Sequence, residues 1–309
     1  MQYKKPWYLI NSHFETIIPY LNYEIYQIPY ERERLELEDG DFLDLDWVKS
    51  KNDQLIVISH AFEGNSRDYF IERFAKYFSE RNYDILIWNF RSCSKELNRL
   101  PHIYSFNDLS DLNAVLKYAT SSNKYRSVFL AGFSMGAVTT LNYLSSQLHN
   151  DGIKAAVAIS VPLELPETLK RLGSGMHGLL YGRSFHDKLK RKLIRKAKQH
   201  PDTWDLKVIE ASHQLEDLIE IIKHSHKLEN DYLEKISPIH QIEQIKNPTL
   251  IINAKNDPLL GPSSYPDQIN DKIDLCYPNR GGHVGFSSKG KDYSWIELKS
   301  EVFLSQFLE

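Results

Sequence analysis

The chain has 309 residues, 41% of them hydrophobic and 26% charged, which is typical of a globular protein and excludes a disordered or fibrous one. Its 38 basic and 41 acidic residues give a net charge of −3, which argues against a nucleic-acid-binding protein. The two cysteines cannot form a disulfide framework, and no apolar run approaches the ~20 residues that cross a bilayer, so we expect a cytoplasmic protein without a signal peptide.

Short apolar runs alternate with helical patterns along most of the chain. Alternating residues on either side of Asp39-Gly40 predict a β-hairpin, with strands over Arg34–Glu38 and Phe42–Val48. Six short runs rich in β-branched residues predict buried strands: Gln54–Ser59, Asp84–Trp88, Ser127–Gly132, Ala155–Ser160, Thr249–Ala254 and Ile273–Tyr277. Helical periodicity predicts four helices around them: Arg67–Glu80, Asn107–Ser121, Met135–Leu148 and Tyr293–Phe307. This alternation indicates a mostly parallel sheet covered by helices on both faces.

Residues 163–236 depart from this alternation, because their pattern is almost wholly helical and rich in charge. Pro162 and Pro166 mark the entry to the segment, and Ser237-Pro238 marks its exit. We therefore predict an α/β core formed by residues 1–162 and 237–309. Residues 163–236 would be a helical cap inserted after the sixth strand, where a lid over a site would lie.

One stretch of the predicted cap, Lys188–Lys198, has seven basic residues in eleven and no acidic one. Its apolar residues recur at helical spacing on one face: Leu189, Leu193, Ile194 and Ala197. This pattern predicts a cap helix whose apolar stripe packs on the core while its charges face solvent. Basic amphipathic helices also bind anionic lipid surfaces, so peripheral membrane contact through the cap is the alternative interpretation.

The strand Ser127–Gly132 leads directly into Gly132-Phe133-Ser134-Met135-Gly136, and a predicted helix follows. This is a G-x-S-x-G segment in the strand–turn–helix context of a nucleophile elbow. Glycines allow such a strained turn to pass close to its neighbours, and the serine Oγ then lies at a helix N-terminus, which favours a developing anion. We therefore predict that Ser134 is a nucleophile.

A serine hydroxyl is a weak nucleophile and needs a base that a third group orients. In folds with this elbow, the acid and then the histidine follow the serine along the chain. Asp257 and His283 follow the last two predicted strands, so both lie past carboxyl ends of strands, where open α/β sheets place their sites. Glu164 is the competing candidate for the acid. We prefer Asp257, because Glu164 stands where the cap begins.

The backbone N–H groups of Phe62 and Met135 are the predicted oxyanion hole. Met135 follows the nucleophile, and Phe62 lies in the loop after the strand Gln54–Ser59, which are the two positions from which this hole is built. His60 lies in the same loop, and we expect it to shape the turn through hydrogen bonds rather than to act in the chemistry. Glu63 is predicted to be a loop or network residue.

Several segments resemble the α/β-hydrolase superfamily and, more narrowly, the YheT-like hydrolases, which are related to the abhydrolase-domain lipases. The segments that carry the resemblance are Asn11–Thr16, His60–Ser66, Asn89–Ser94, Gly132–Ala137 and Asn253–Leu260. The first and third are the specific ones, since the elbow is shared by the whole superfamily. The chain departs from the family pattern at Ala61 and Ser92, which replace glycines, and at residues 104–107, where Y-H-S-G becomes Y-S-F-N.

The resemblance implies hydrolysis of small acyl or lipid esters without a metal or other cofactor. The residues themselves support the shared step, in which Ser134 attacks a carbonyl, His283 moves the proton and Asp257 orients the imidazole. An acyltransferase or a thioesterase would use the same residues, and a hydrolase fold that only binds a ligand is a further alternative. A peptidase is less favoured, because no acidic cluster is evidently placed to hold an amino terminus.

Overall fold

The computed structural model describes residues 2–21, 26–104, 109–122, 124–148, 152–289 and 291–308. Within them one sheet is formed by β1 (Glu31–Glu36), β2 (Phe42–Val48), β3 (Gln54–Ser59), β4 (Asp84–Trp88), β5 (Ser127–Phe133), β6 (Ile153–Ile159), β7 (Thr249–Ile252) and β8 (Ile273–Cys276). The strand order is β1-β2-β4-β3-β5-β6-β7-β8. β2 runs opposite to the other seven strands, so its pairs with β1 and β4 are antiparallel and the remaining pairs are parallel.

The helices in the described residues are α1 (Ser12–Leu21), α2 (Tyr69–Ser79), α3 (Leu109–Thr120), α4 (Met135–Ser145), α5 (Leu165–Leu172), α6 (Gly175–His177), α7 (Arg183–Gln199), α8 (Leu206–Ala211), α9 (Leu215–Ser225), α10 (Tyr232–Lys235) and α11 (Trp295–Leu304). A π-helical turn, Gly178–Gly182, joins α6 to α7. Helices α3 and α4 pack on one face of the sheet, and α2 and α11 pack on the other. Helices α5 to α10 all lie between β6 and β7.

The central strands contribute side chains to both layers, which explains why they are apolar throughout rather than alternating. In β3, Leu55 and Val57 face α3 and α4, while Ile56 and Ile58 face α2 and α11. A third apolar cluster joins the helices between β6 and β7 to the core, and Leu259, next to the predicted acid, belongs to it. The site loops are therefore held between a rigid sheet and a helical layer.

The predicted fold class is confirmed, including the antiparallel opening hairpin and the helical segment after the sixth strand. The described part of the third predicted helix begins at Leu109, and residues 105–108 of that prediction lie outside the described part of the chain. Helix α1 was not predicted, because its ten residues give only a short pattern and include Pro19. The division into a core and a cap at residues 163 and 236 stays a prediction.

The basic stretch of α7 is not solvated as its pattern predicted, because two of its lysines face inward. Lys192 is buried and its Nζ lies 2.8 Å from a carboxylate oxygen of Glu63. Lys196 is buried and donates to the carbonyl oxygens of Asn98, at 2.7 Å, and Leu100. The basic residues of this helix that stay exposed are Arg183, Arg191, Arg195 and Lys198. Helix α7 thus binds the core through ammonium groups as well as through its apolar stripe.

Candidate active site

Ser134 occupies the sharp turn between β5 and α4, with φ 52° and ψ −117°. A Cβ on Gly136 would lie 2.2 Å from the carbonyl oxygen of Ser59, and a Cβ on Gly132 would lie 2.5 Å from the Cα of Ala137. Both positions therefore require glycine, because the backbone on either side of the serine passes so close to its neighbours. Ser134 therefore lies in a strand–turn–helix arrangement of the kind that the G-x-S-x-G segment predicts.

The structure brings Ser134, His283 and Asp257 together in one chain of hydrogen bonds. The Nε2 of His283 lies 2.9 Å from the Oγ of Ser134, and its Nδ1 lies 2.8 Å from Oδ2 of Asp257. The other oxygen of Asp257 accepts the backbone N–H of Leu259 at 2.9 Å. The three side chains are buried, so little water competes for these bonds. With its Nδ1–H donated to the carboxylate, the imidazole presents Nε2 to accept the serine proton.

Glu164, the competing acid, lies elsewhere. Glu164 immediately precedes α5, and its carboxylate lies 3.4 Å from Nε2 of His240. Burial raises the pKa of this carboxyl group. The residue at the end of β6 that does contact the histidine loop is Ser160, whose Oγ accepts the backbone N–H of Val284 at 3.0 Å.

The loop that carries His283 rests on Glu15 of α1, a residue for which the sequence analysis predicted no role. Glu15 is fully buried, and its Oε2 accepts the N–H of Gly281 at 2.7 Å and the side-chain amide of Asn256 at 2.9 Å. Its Oε1 accepts from Arg280 at 2.7 Å. One carboxylate therefore ties together the loop of the predicted acid and the loop of the predicted base.

Thr16, the next residue of α1, binds the histidine directly. Its Oγ1 accepts the backbone N–H of His283 at 3.0 Å. The fit between helix and loop is close, since a Cβ on Gly285 would lie 2.1 Å from the carbonyl oxygen of Glu15. The only sequence signal for these two residues is the family-like segment Asn11–Thr16, because the contacts join positions more than 240 residues apart.

The loop that carries Phe62 is shaped by a neutral histidine. The Nδ1 of His60 lies 2.8 Å from the carbonyl oxygen of Ala61, and its Nε2 accepts the N–H of Phe90 at 3.0 Å. Burial lowers the pKa of His60 to about 3, so the ring stays neutral at ordinary pH. Met135 is the first residue of α4, where a backbone N–H has no acceptor within the helix.

Glu63 links this loop to α7. Its Oε1 accepts from Nζ of Lys192 and from the hydroxyl of Tyr104, both at 2.8 Å. The same Nζ lies 3.0 Å from Sγ of Cys93, and burial raises the pKa of that thiol to about 12. The network fixes the position of α7 relative to the residue that follows Phe62.

A small apolar cleft, with a cavity volume of about 70 Å³, opens in front of Ser134. The described residues that line it are Phe62, Ser134, Met135, Pro162, Leu165, Thr168, Leu169, Leu172, Phe185, Leu215, Ile219, Leu233, Leu259, Leu260 and His283. Among these described residues, the polar side chains are those of Ser134, His283 and Thr168. The cleft can therefore hold an apolar group beside the serine Oγ, with Phe62 and Met135 on its wall.

In the described ranges, no group of three or more His, Cys, Asp and Glu residues is placed to hold a metal ion. Two histidine nitrogens there, Nδ1 of His102 and Nδ1 of His226, lie 3.2 Å apart. No helix in this part of the chain is both long and apolar enough to cross a membrane.

Residues 50–273, which include Ser134 and Asp257, match the model of an α/β-hydrolase family described as serine aminopeptidase, S33. The chain belongs to this family. The match ends before His283.

Two curated relatives of this α/β hydrolase and one solved structure agree with the assignment. The YheT protein of Escherichia coli is 27% identical over 97% of this chain and 92% of its own. A monoacylglycerol lipase of Saccharomyces cerevisiae is 24% identical over 82% of this chain and 59% of its own. The Pyrococcus furiosus esterase Pf2001 superposes with a TM-score of 0.61, at 17% identity, over 91% of this chain and 93% of that one. The chain is thus an esterase- and lipase-like α/β hydrolase.

Proposed function

We propose that this protein hydrolyses carboxylic esters of apolar acyl groups through an acyl-enzyme on Ser134. The observation that carries the proposal is the continuous chain from Asp257 through His283 to Ser134, with distances of 2.8 and 2.9 Å, facing an apolar cleft. Base and orienting acid lie within hydrogen-bonding reach, which is the geometry that activates a serine hydroxyl.

In the proposed mechanism the Oγ of Ser134 attacks the ester carbonyl while its proton passes to Nε2 of His283. The N–H groups of Phe62 and Met135 stabilise the oxyanion, and the imidazolium then gives its proton to the departing alkoxide. Water attacks the acyl-serine, with His283 again acting as base, and releases the acid. Asp257 keeps the imidazole in the required tautomer and stabilises its charged form.

An ester with an apolar acyl group fits the cleft better than a peptide with a free amino terminus. An aminopeptidase needs an anionic group to hold the substrate ammonium, and none of the described residues that line the cleft carries a carboxylate. The relative named as a monoacylglycerol lipase supports a lipid ester among the substrates.

The test is a panel of p-nitrophenyl esters from acetate to palmitate, beside a monoacylglycerol, an acyl-CoA and an aminoacyl p-nitroanilide. We expect kcat/KM to rise with acyl length, by up to about fourfold for each methylene that the cleft buries, because burial of one is worth ~0.8 kcal/mol. The matched control is Ser134→Ala, which should be inactive on every ester. If only the anilide were hydrolysed, the proposal would be overturned and the protein would be a peptidase. If only acyl-CoA were hydrolysed, the proposal would likewise be overturned and the protein would be a thioesterase.

A further inference from the structure

Six large apolar side chains stand exposed on two segments that meet at the edge of the active site. The apolar surface, as we call these residues, consists of Trp7, Ile10, Phe14, Met176, Leu179 and Leu180. Trp7 is 76% exposed, Leu179 67% and Met176 62%. Exposed apolar groups are common singly, but grouped ones mark an interaction site.

His13 joins the two segments. Its Nδ1 lies 2.9 Å from the hydroxyl of Tyr181, and its ring lies 5.5 Å from that of His177. Phe14 is adjacent to this histidine in the chain, while Met176 and Leu180 are adjacent to its two partners. The start of α1 and the α6–π-turn segment are therefore in contact through His13.

This surface adjoins the reacting residues on two sides. Thr16, two residues after Phe14, accepts the backbone N–H of His283. Leu172 lines the apolar cleft and is the last residue of α5, four positions before Met176. A molecule bound to the apolar surface would thus lie next to the residues that form the cleft.

The charges of the two segments favour an anionic partner. Residues 2–14 contain Lys4 and Lys5 and no acid, and residues 170–186 contain Lys170, Arg171 and Arg183 and no acid. Trp and Tyr side chains settle at the boundary between lipid headgroups and acyl chains, and clustered basic residues beside apolar ones are typical of proteins that lie on anionic membranes.

We propose that the apolar surface docks this protein on anionic lipid surfaces. The contact differs from the one predicted through the basic face of α7, because Lys192 and Lys196 of that helix face the core. A lipid surface fits better than a protein partner, since the flexible aliphatic and indole groups lie in two segments that carry cations and no acid. On this basis the enzyme would meet its ester at an interface, with the cleft beside the docked face.

The test is sedimentation with vesicles of ether-linked phosphatidylcholine, with and without ether-linked phosphatidylserine. Ether lipids contain no carboxylic ester in their chains, so the binding result is independent of the proposed hydrolysis. We compare wild type with Trp7→Ser/Met176→Gln/Leu179→Gln and with Lys4→Ala/Lys5→Ala. The matched control, Leu148→Gln/Val302→Gln, removes exposed apolar groups from other elements.

We expect wild type and the control to bind phosphatidylserine vesicles equally. The triple variant should lose at least about tenfold in partitioning, because such binding scales with inserted apolar area. The lysine variant should lose about fivefold per lysine near the surface and should be less sensitive to salt. Turnover of a soluble ester should stay unchanged in all of them. Equal partitioning of triple variant and wild type would overturn the proposal, and so would a dimer in solution that the triple variant dissociates.

Discussion

At the scale of single residues, the site depends on Ser134 being held in a conformation that few residues adopt. A positive φ at a residue other than glycine costs about 1–3 kcal/mol and persists only where surrounding contacts impose it. Gly132 and Gly136 allow the close approach that imposes it, since side chains there would overlap the backbone of Ala137 and of β3. The strained backbone directs Oγ of Ser134 toward Nε2 of His283, which lies 2.9 Å away.

Four single variants test the roles of these side chains. Ser134→Ala and His283→Ala should each reduce kcat by about 10⁴-fold or more while the protein stays folded, because a triad acts as a unit. Asp257→Asn should cost less than loss of the serine. Glu164→Gln is the control and should leave ester turnover near wild type. A harmless Asp257→Asn beside a damaging Glu164→Gln would move the acid to Glu164, and circular dichroism checks that each variant is folded.

His60 gives the fold a pH dependence whose sign follows from its surroundings. Its pKa is lowered to about 3 by burial, below the ~6.5 of an unfolded histidine. Between these pH values the unfolded chain binds one more proton, so the free energy of unfolding should rise with pH across that window and fall as the solution is acidified. The contribution is complete above about pH 6.5, at a slope of up to ~1.4 kcal/mol per pH unit.

Urea unfolding of wild type and His60→Gln between about pH 4 and pH 7 measures this contribution. The variant should be less stable near pH 7 but should show a shallower slope, because its amide does not titrate. His213→Gln removes an exposed histidine and should keep the wild-type slope. Identical slopes for wild type and His60→Gln would show that His60 is not held neutral in the fold.

At the scale of elements, α1 acts as the support of the histidine loop. Glu15→Ala should lower kcat on a short ester by about ten- to a hundredfold with little change in KM, because the loop loses the carboxylate that positions it while the cleft is untouched. It also leaves the buried N–H of Gly281 without an acceptor, which costs ~1–3 kcal/mol of stability. Glu15→Gln should recover part of the rate, since one oxygen can still accept.

The control for α1 is Glu31→Ala, which removes an exposed carboxylate from β1. It should change neither kcat nor the stability of the fold. Full activity of Glu15→Ala at a reduced Tm would mean that Glu15 stabilises the fold without positioning His283. The measurement is a pair of kcat and KM determinations beside a thermal unfolding curve for each variant.

Helix α7 carries the second prediction at this scale. Lys192→Met keeps most of the length of the side chain but leaves Glu63 as a buried carboxylate without its cation, so it should destabilise the protein by ~3–5 kcal/mol. Lys198→Met, on the exposed side of the same helix, should stay within ~0.5 kcal/mol of wild type. Equal urea midpoints for the two variants would show that Lys192 is as solvated as the sequence pattern suggested.

Comparison of the elbow and the central strands with α1 and α7 shows which features could be predicted from the sequence. The elbow, the central strands and the order serine, acid, histidine follow from local patterns, because glycine spacing and apolar runs report on geometry within a few residues. The inward lysines of α7 do not, since helical periodicity assigns charges to the solvent side unless a partner such as Glu63, 129 residues away, is known. The support from Glu15 and Thr16 likewise depends on contacts between opposite ends of the chain.

At the scale of the whole molecule, the parallel sheet is what assembles the site. β3, β5, β7 and β8 all end at the same edge, so the loops with Phe62, Ser134, Asp257 and His283 meet there although they are far apart in sequence. Helices α5, α7 and α9 then close the apolar cleft over them. On the proposed function, the sheet loops carry the reacting groups, and the helices between β6 and β7 would select the acyl group.

The most direct test of the central claim is labelling with a fluorophosphonate, followed by mass spectrometry of the labelled peptide. Such a probe phosphonylates a serine only where a base activates it. We predict one label per chain, on Ser134, with none in Ser134→Ala and a rate reduced by orders of magnitude in His283→Ala. Labelling of wild type at another serine, or the same labelling rate in His283→Ala as in wild type, would contradict the proposed triad.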